Sequence, residues 1–188
     1  MTIIRTRFPE VLVIEPKAFK DKRGWFIESY NRRQLSSLGI HVEFVQDNHS
    51  YSRSKGTIRG LHFQKEPGAQ SKLVRCVRGA IRDVVVDIRN GSPTQGKWES
   101  FQLSSKNMKQ VFIPKGFAHG FLTLEDRTEV EYKVDSYYDK ALERCIRYDD
   151  PDLGIDWQVA SHILSEKDVT ALRLRDVDIN LEFERKVR

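Results

Sequence analysis

The chain reads as an all-β protein, a jelly-roll barrel with a few short flanking helices. Three observations predict it. Apolar and polar residues alternate with a period of two through the middle of the chain, the mark of strands with one buried face. Gly, Pro and Asn gather between those runs as turns. Helical periodicity is sparse, and many short strands separated by regular turns imply a sandwich or barrel.

In chain order, residues 31–38 (Asn-Arg-Arg-Gln-Leu-Ser-Ser-Leu) predict a short helix. Residues 56–64 (Gly-Thr-Ile-Arg-Gly-Leu-His-Phe-Gln) read as a buried strand that carries an arginine and a histidine. Residues 73–77, 81–88, 110–113 and 128–134 alternate as strands, and Gly79, Asn90 to Pro93, Gly96 and Lys115-Gly116 separate them as turns. Pro114-Lys-Gly-Phe-Ala-His-Gly120 places a second histidine just after a turn. Ser165 caps a second short helix predicted over residues 165–172. The charged tail, residues 181–188, is expected to fray. With no linker, internal repeat or low-complexity tract, residues 1–188 are read as one domain.

Composition narrows the function classes. No apolar run approaches the roughly 18 residues needed to span a bilayer, so no membrane partner is expected. The N-terminus lacks the charged-then-apolar layout of a signal peptide, which points to the cytoplasm. Cys76 and Cys145 form no Cys-x-x-Cys spacing and read as reduced structural residues. The net charge of +5 is dispersed, without a basic tract or nucleic-acid-binding signature, so nucleic acid is not the expected partner. Arg59, Arg75, Arg82 and Arg89 fall within strand-like runs, which suggests a concave site for a small polyanion.

Burying imidazole or guanidinium costs free energy unless each finds a partner or charged ligand. Taken alone, His62 reads as a satisfied core histidine, Tyr132 as core packing beside Val130 and Val134, and Asp168 as a helix-start carboxylate. The nearness of Arg59, Gln64 and Lys72 shifts His62 toward chemistry. Strict alternation puts Arg59 and His62 on opposite faces, so both can reach one cavity only through a bulge, for which Gly60 is the natural place. Histidine near neutrality is a competent base, and a lysine beside a carbonyl oxygen stabilises an enolate, so histidine, lysine and an aromatic hydroxyl together suit proton transfer next to a carbonyl.

A metal centre is disfavoured. The spacings Gly56-x5-His62 and Pro114-x-Gly116-x-x-His119 match parts of the metal-binding cupin pattern. Yet Gln64 stands where that pattern wants a histidine, Gly68 and Ala69 where it wants a carboxylate, and Thr123 where it wants an asparagine. Two histidines fall short of the three or four protein ligands of typical sites, so neither metal nor other cofactor is expected.

The motifs together resemble the dTDP-4-dehydrorhamnose 3,5-epimerases, a metal-free cupin group. The resemblance rests on Asp21-x-Arg23-Gly24-x-Phe26-x-Glu28, Gln46-Asp47-Asn48-x-Ser50, Gly56 to Gln64 and Gln70-x-Lys72-Leu-Val-Arg75. It continues through Asp83 to Thr94, Pro114 to Phe121, Tyr132-Lys-Val-Asp-x-Tyr-Tyr138 and Leu164-Ser-Glu-Lys-Asp168. It implies a cupin-type barrel and inversion at C3 and C5 of a dTDP-linked 4-keto-6-deoxysugar. By the same resemblance His62 is the base, Asp168 holds its ring, Lys72 stabilises the C4 enolate and Tyr132 returns a proton from the opposite face. His119 and Arg59 would line the sugar and phosphate pocket. Arg23, Phe26, Glu28, Gln46, Asn48, Glu143 and Lys167 would bind the nucleotide side, with Tyr138 stacking on thymine. The family also implies a homodimer that exchanges strands, with Arg23 and Glu28 serving the partner's pocket.

Some positions depart from the family pattern. Arg82 stands where an aromatic is frequent, Arg147-Tyr148 where an aliphatic–tryptophan pair is frequent, and Gln158 where proline often follows Trp157. Two alternatives accompany the epimerase reading: a C3-only epimerase on a related nucleotide-linked keto-sugar, and a sugar-nucleotide-binding cupin without turnover.

Overall fold

A computed structural model describes residues 1–159 and 161–184. Its strands form two large sheets. The six-stranded sheet runs β1(Thr2–Arg5), β2(Leu12–Glu15), β10(Gln110–Ile113), β7(Lys72–Arg78), β12(Thr128–Val134), β5(Gln46–Ser52). The five-stranded sheet runs β13(Glu143–Cys145), β6(Ile58–Gln64), β11(Phe117–Thr123), β8(Ala80–Asp87), β9(Trp98–Ser104). Every neighbouring pair is antiparallel, as expected of a cupin-type jelly roll. A separate hairpin, β3(Ala18–Asp21) with β4(Gly24–Ile27), pairs only with itself.

Alternation decides what lies between the sheets. Val74 and Cys76 of β7, Ile81 and Val85 of β8, Phe117 and Phe121 of β11 and Val130 of β12 meet there in one apolar cluster. The same parity sends Lys72, Asp83, His119 and Tyr132 inward with them. The outer face of the five-stranded sheet is covered by the C-terminal segment, through Ile146, Leu153, Trp157 and Leu181 against Ile58, Leu61, Val84 and Leu122. Leu35 and Ile40, around helix α1(Arg32–Ser37), cover Leu12, Ile14, Leu73 and Phe112 of the other sheet.

β6 breaks alternation. Between the pairs His119↔His62 and Phe121↔Arg59, β11 moves by two residues while β6 moves by three. The extra residue is a bulge at Gly60 and Leu61, and it turns both Arg59 and His62 toward the interior. Gly60 has φ +121°, and an added Cβ would lie 2.5 Å from Gly120 Cα and 2.7 Å from the His119 carbonyl oxygen. Only glycine lets β6 and β11 approach so closely here.

Two expectations are corrected. The second helix, α2(Glu166–Val169), is a single turn rather than the predicted eight residues. Ser165 caps it, but Leu172 accepts a backbone hydrogen bond from Arg147 at 2.8 Å and bridges Ile146, which draws the chain back to extended form. The tail does not fray at residue 181: Leu181 is buried, and Asn90 bonds the backbones of Leu181 and Phe183 at 2.8 and 3.0 Å. The remaining charged residues, 185–188, lie outside the described residues. Arg82 and Gln158, both departures from the family pattern, are partners, since Arg82 donates to the Gln158 side chain and to the Asp156 carbonyl.

The close approach at the bulge predicts that Gly60→Ala lowers the unfolding free energy by more than ~2 kcal/mol in urea melts, combining backbone strain with overpacking. Gly91→Ala is the control, with φ +75° and open space around it, and should lose only ~1 kcal/mol. Equal losses at the two positions would show that backbone contact with β11 does not hold the bulge.

Candidate functional site

The cavity between the sheets has a volume of about 500 Å³. Its wall includes His62, Lys72, Tyr132, Asp168, Arg59, His119, Tyr138, Glu143 and Lys167, residues drawn from both sheets and from α2.

At its centre His62 Nε2 lies 2.6 Å from Asp168 Oδ1. Asp168 is 2% exposed, and its second oxygen accepts from Ser165 Oγ at 2.7 Å. Burial by itself would raise this carboxyl, but the His62 hydrogen bond and charge, with Ser165 and Cys145, outweigh it and bring the pKa to about 2. Burial holds the His62 imidazole below its ordinary value, with Lys167 and Lys72 adding to the effect and Asp168 opposing it. His62 is therefore neutral at pH 7. An ionised carboxylate cannot donate, so Nε2 carries the hydrogen and Nδ1 keeps the lone pair.

Lys72, 7% exposed, donates to the His62 carbonyl at 3.3 Å. Burial pushes its pKa down to about 8, with Asp83 and Glu143 opposing the fall. Asp83 is fully buried, accepts from His119 Nε2 at 2.8 Å, and leaves Oδ1 without a partner among the described residues. Burial raises the Tyr132 hydroxyl, and the charge of Glu143 raises it further. The arrangement offers a neutral base, a buried cation and a protonated phenol around one space, which suits carbon–hydrogen proton transfer beside a carbonyl.

Comparison with known proteins identifies the family. A sequence model of the dTDP-4-dehydrorhamnose 3,5-epimerase family matches residues 5–176. The chain belongs to that family. The Shigella flexneri dTDP-4-dehydrorhamnose 3,5-epimerase is 50% identical over 179 residues, covering 95% of this chain and 98% of its own. The Legionella pneumophila dTDP-6-deoxy-D-glucose-3,5-epimerase, solved in complex with dTDP-4-keto-L-rhamnose, superposes with a TM-score of 0.94 at 44% identity, covering 98% of this chain and 99% of that one. A 3'-monoepimerase from Streptomyces bikiniensis, solved with dTDP-quinovose, superposes at 0.85 with 34% identity over 91% of this chain and 87% of that one. The protein is thus an isomerase of the epimerase family, and no helix among its described residues is long and apolar enough to cross a membrane.

The cavity does not collect every residue the sequence suggested. Tyr138 sits at the rim, where its hydroxyl donates to Glu143 at 3.1 Å and its backbone N–H to Gln46 at 3.1 Å. Gln46 in turn donates to Asn48 at 2.9 Å, and Lys167 reaches Glu143 at 2.7 Å. Arg23, Phe26 and Glu28 do not reach the cavity of their own chain. Arg23 is exposed and paired with Asp21 at 2.6 Å, Phe26 is exposed on the β3–β4 hairpin, and Glu28 accepts from Asn31 and Gln34 at the start of α1. Of the four strand arginines expected around a polyanion, only Arg59 lines the cavity. Arg75 pairs with Glu131, Arg82 with Gln158, and Arg89 with Asp87 and Glu10.

Sequence reasoning gave no place in the site to Asp83, Ser165 or Cys145. Asp83 could have been found by parity, since it shares a strand face with the apolar Ile81 and Val85. Ser165 was read only as a cap, yet its hydroxyl also holds the Asp168 carboxylate. Cys145, read as a reduced structural residue, is a free cysteine whose sulfur lies 3.5 Å from Asp168 Oδ1.

Because the Asp168 pKa is depressed from 3.8 to about 2, its contribution to stability is complete above pH 4 and is lost as pH falls through about 2. The size is ~2 kcal/mol. Acid unfolding curves of wild type and Asp168→Asn should therefore converge by roughly that amount on acidification through this window. Parallel curves would contradict the assigned ionisation.

Proposed function

We propose that this epimerase inverts C3 and C5 of dTDP-4-keto-6-deoxy-D-glucose to give dTDP-4-keto-L-rhamnose. The observation that carries the reading is His62, bonded to the Asp168 carboxylate at 2.6 Å, facing a cavity that also holds Lys72 and Tyr132. Both carbons flank the C4 ketone, so each C–H bond is acidified by the same carbonyl. His62 Nδ1 takes the proton, and the electron pair moves onto the C4 oxygen, where the Lys72 ammonium stabilises the enolate. Tyr132 delivers a proton to the opposite face, which inverts the carbon. Solvent then takes the proton from His62 and restores the one on Tyr132. Asp168 keeps the imidazole hydrogen on Nε2 and supports the imidazolium between these steps. His119 and Arg59 line the sugar and phosphate region, and Tyr138, Glu143, Lys167, Gln46 and Asn48 form the nucleotide side.

The working form is a homodimer with exchanged strands. Two features support it: β5 is an edge strand of seven residues, and the β3–β4 hairpin carries exposed Phe19, Trp25 and Phe26. Arg23, Phe26 and Glu28, remote from their own cavity, then serve the partner's.

Proton NMR of dTDP-4-keto-6-deoxyglucose incubated with the enzyme in D2O tests the reading. Deuterium at C3 and C5 with formation of the L-sugar is expected. Label at C3 alone would make the protein a monoepimerase, and no label from folded protein would mean that the substrate is a different one or that the pocket only binds. His62→Ala and Tyr132→Phe should each lower turnover by about 10²–10⁴-fold without unfolding the protein.

The pH dependence has a definite sign. The base must be neutral, so kcat/KM falls as pH drops through the His62 pKa, below the ordinary 6.5. Lys72 must be charged, so kcat/KM falls again as pH rises through about 8. A profile with its alkaline limb unchanged in Lys72→Arg would remove lysine from the enolate-stabilising role.

A further inference from the structure

The two-histidine count that argued against a metal centre overlooks a different donor set that the fold assembles. His62 Nε2 and Cys145 Sγ both point at Asp168 Oδ1, at 2.6 and 3.5 Å. The nitrogen, sulfur and oxygen atoms of these three side chains all lie within 4.8 Å of one another. They also stand where two cavities meet. His62 and Asp168 line the space between the sheets, while Cys145 lines a second cavity of about 380 Å³ with Glu143, Lys167 and Leu172. Glu143 and Lys167 line both cavities, so the triad lies beside a second opening as well as the space between the sheets.

We propose that His62, Cys145 and Asp168 form an inhibitory site for a borderline-soft divalent cation of the zinc type. One imidazole, one thiolate and one carboxylate with an open fourth position is a donor set zinc accepts, and the sulfur selects it over magnesium or calcium. Zinc–ligand bonds of about 2.0–2.3 Å place donor atoms ~3–4 Å apart, so the 2.6 Å His62–Asp168 contact must open, while the Cys145–Asp168 separation of 3.5 Å already fits. In the metal-free protein the triad is held by two hydrogens, one on Nε2 and one on Sγ, directed at one carboxylate oxygen. The cation replaces both. The thiol proton leaves to solvent as the metal–sulfur bond forms, and the Nε2 proton moves to Nδ1 as Nε2 takes the metal. Burial and the Asp168 charge hold the free thiol up at about 12, so Cys145 is an inert donor until a cation arrives. The Glu143 carboxylate adds negative charge nearby, and Lys167, bonded to it at 2.7 Å, offsets that charge. The consequence for chemistry is specific: with its proton on Nδ1, His62 has no lone pair left to act as a base.

Full-length protein freed of metal by chelator and dialysis provides the test. Co²⁺ is the first probe, because a cobalt–thiolate bond gives a near-ultraviolet charge-transfer band. The band is expected in wild type and absent from Cys145→Ala, in which the other cysteine, buried Cys76, remains. Zn²⁺ is the second probe. Inhibition should be reversed by chelator, and half-inhibition of Cys145→Ala should need about tenfold or more Zn²⁺, each protein being referred to its own metal-free rate. No thiolate band, a band that survives Cys145→Ala, or equal zinc sensitivity of the two proteins overturns the site. The cobalt band is read without substrate, so its outcome is separate from whether the sugar assignment holds.

Discussion

A β-strand can show only alternate residues to one side, and this site needs two residues of β6 whose numbers differ by three. The bulge at Gly60 resolves that conflict, and much else follows from it. On one side of the bulge Arg59 enters the cavity and donates to Ser52 Oγ and the Tyr51 carbonyl. On the other side His62 enters and meets Asp168, while Leu61 and Phe63 turn outward into the apolar layer beneath the C-terminal segment. A regular strand would put either the arginine or the histidine into that apolar layer, where a polar group without a partner is costly. The absence of a side chain at Gly60 and Gly120 is therefore a requirement of the site as well as of the sheet.

The interior then holds charges that a β-sandwich core usually excludes. It does so by pairing each with something fixed. Asp168 is held by His62 and Ser165, His119 by Asp83, and Lys72 lies against a carbonyl within the field of Asp83 and Glu143. Low exposure separates the groups chemically: an imidazole held below its ordinary value, an ammonium brought down to about 8 and a phenol pushed up. The acid and base roles proposed above need only burial applied to groups of opposite charge type, without an unusual residue.

Much of this could be read from the chain. The strands at residues 81–88, 110–113 and 128–134 announced themselves because one or both faces are apolar, and Asn31 marked the start of α1 because a cap is a local signal. β5 carried no such signal. Its residues, Gln-Asp-Asn-His-Ser-Tyr-Ser, lie at a sheet edge where polarity is permitted, so hydrophobic period is absent. The second helix was overread because its cap is genuine, while the backbone bond between Arg147 and Leu172 that ends it is long-range. Charge was the least legible property. Arg75, Arg82 and Arg89 look like anion ligands in sequence, and only the fold shows that each faces an acceptor elsewhere. The convergence of Cys145 on Asp168 is likewise invisible, since the two residues lie on separate elements, β13 and α2.

The segment that supplies Asp168 follows all of the strands. Both sheets are complete by Cys145, and the carboxylate arrives on a single helical turn more than twenty residues later. A polypeptide released from the ribosome just short of that turn would contain every strand of the barrel, and His62 would stand in it without its anion. The imidazole would then have no acceptor to fix its tautomer and no counter-charge to steady its protonated form. Under the proposed chemistry, a chain that stops before Asp168 holds every strand of the barrel but lacks the carboxylate that orients His62.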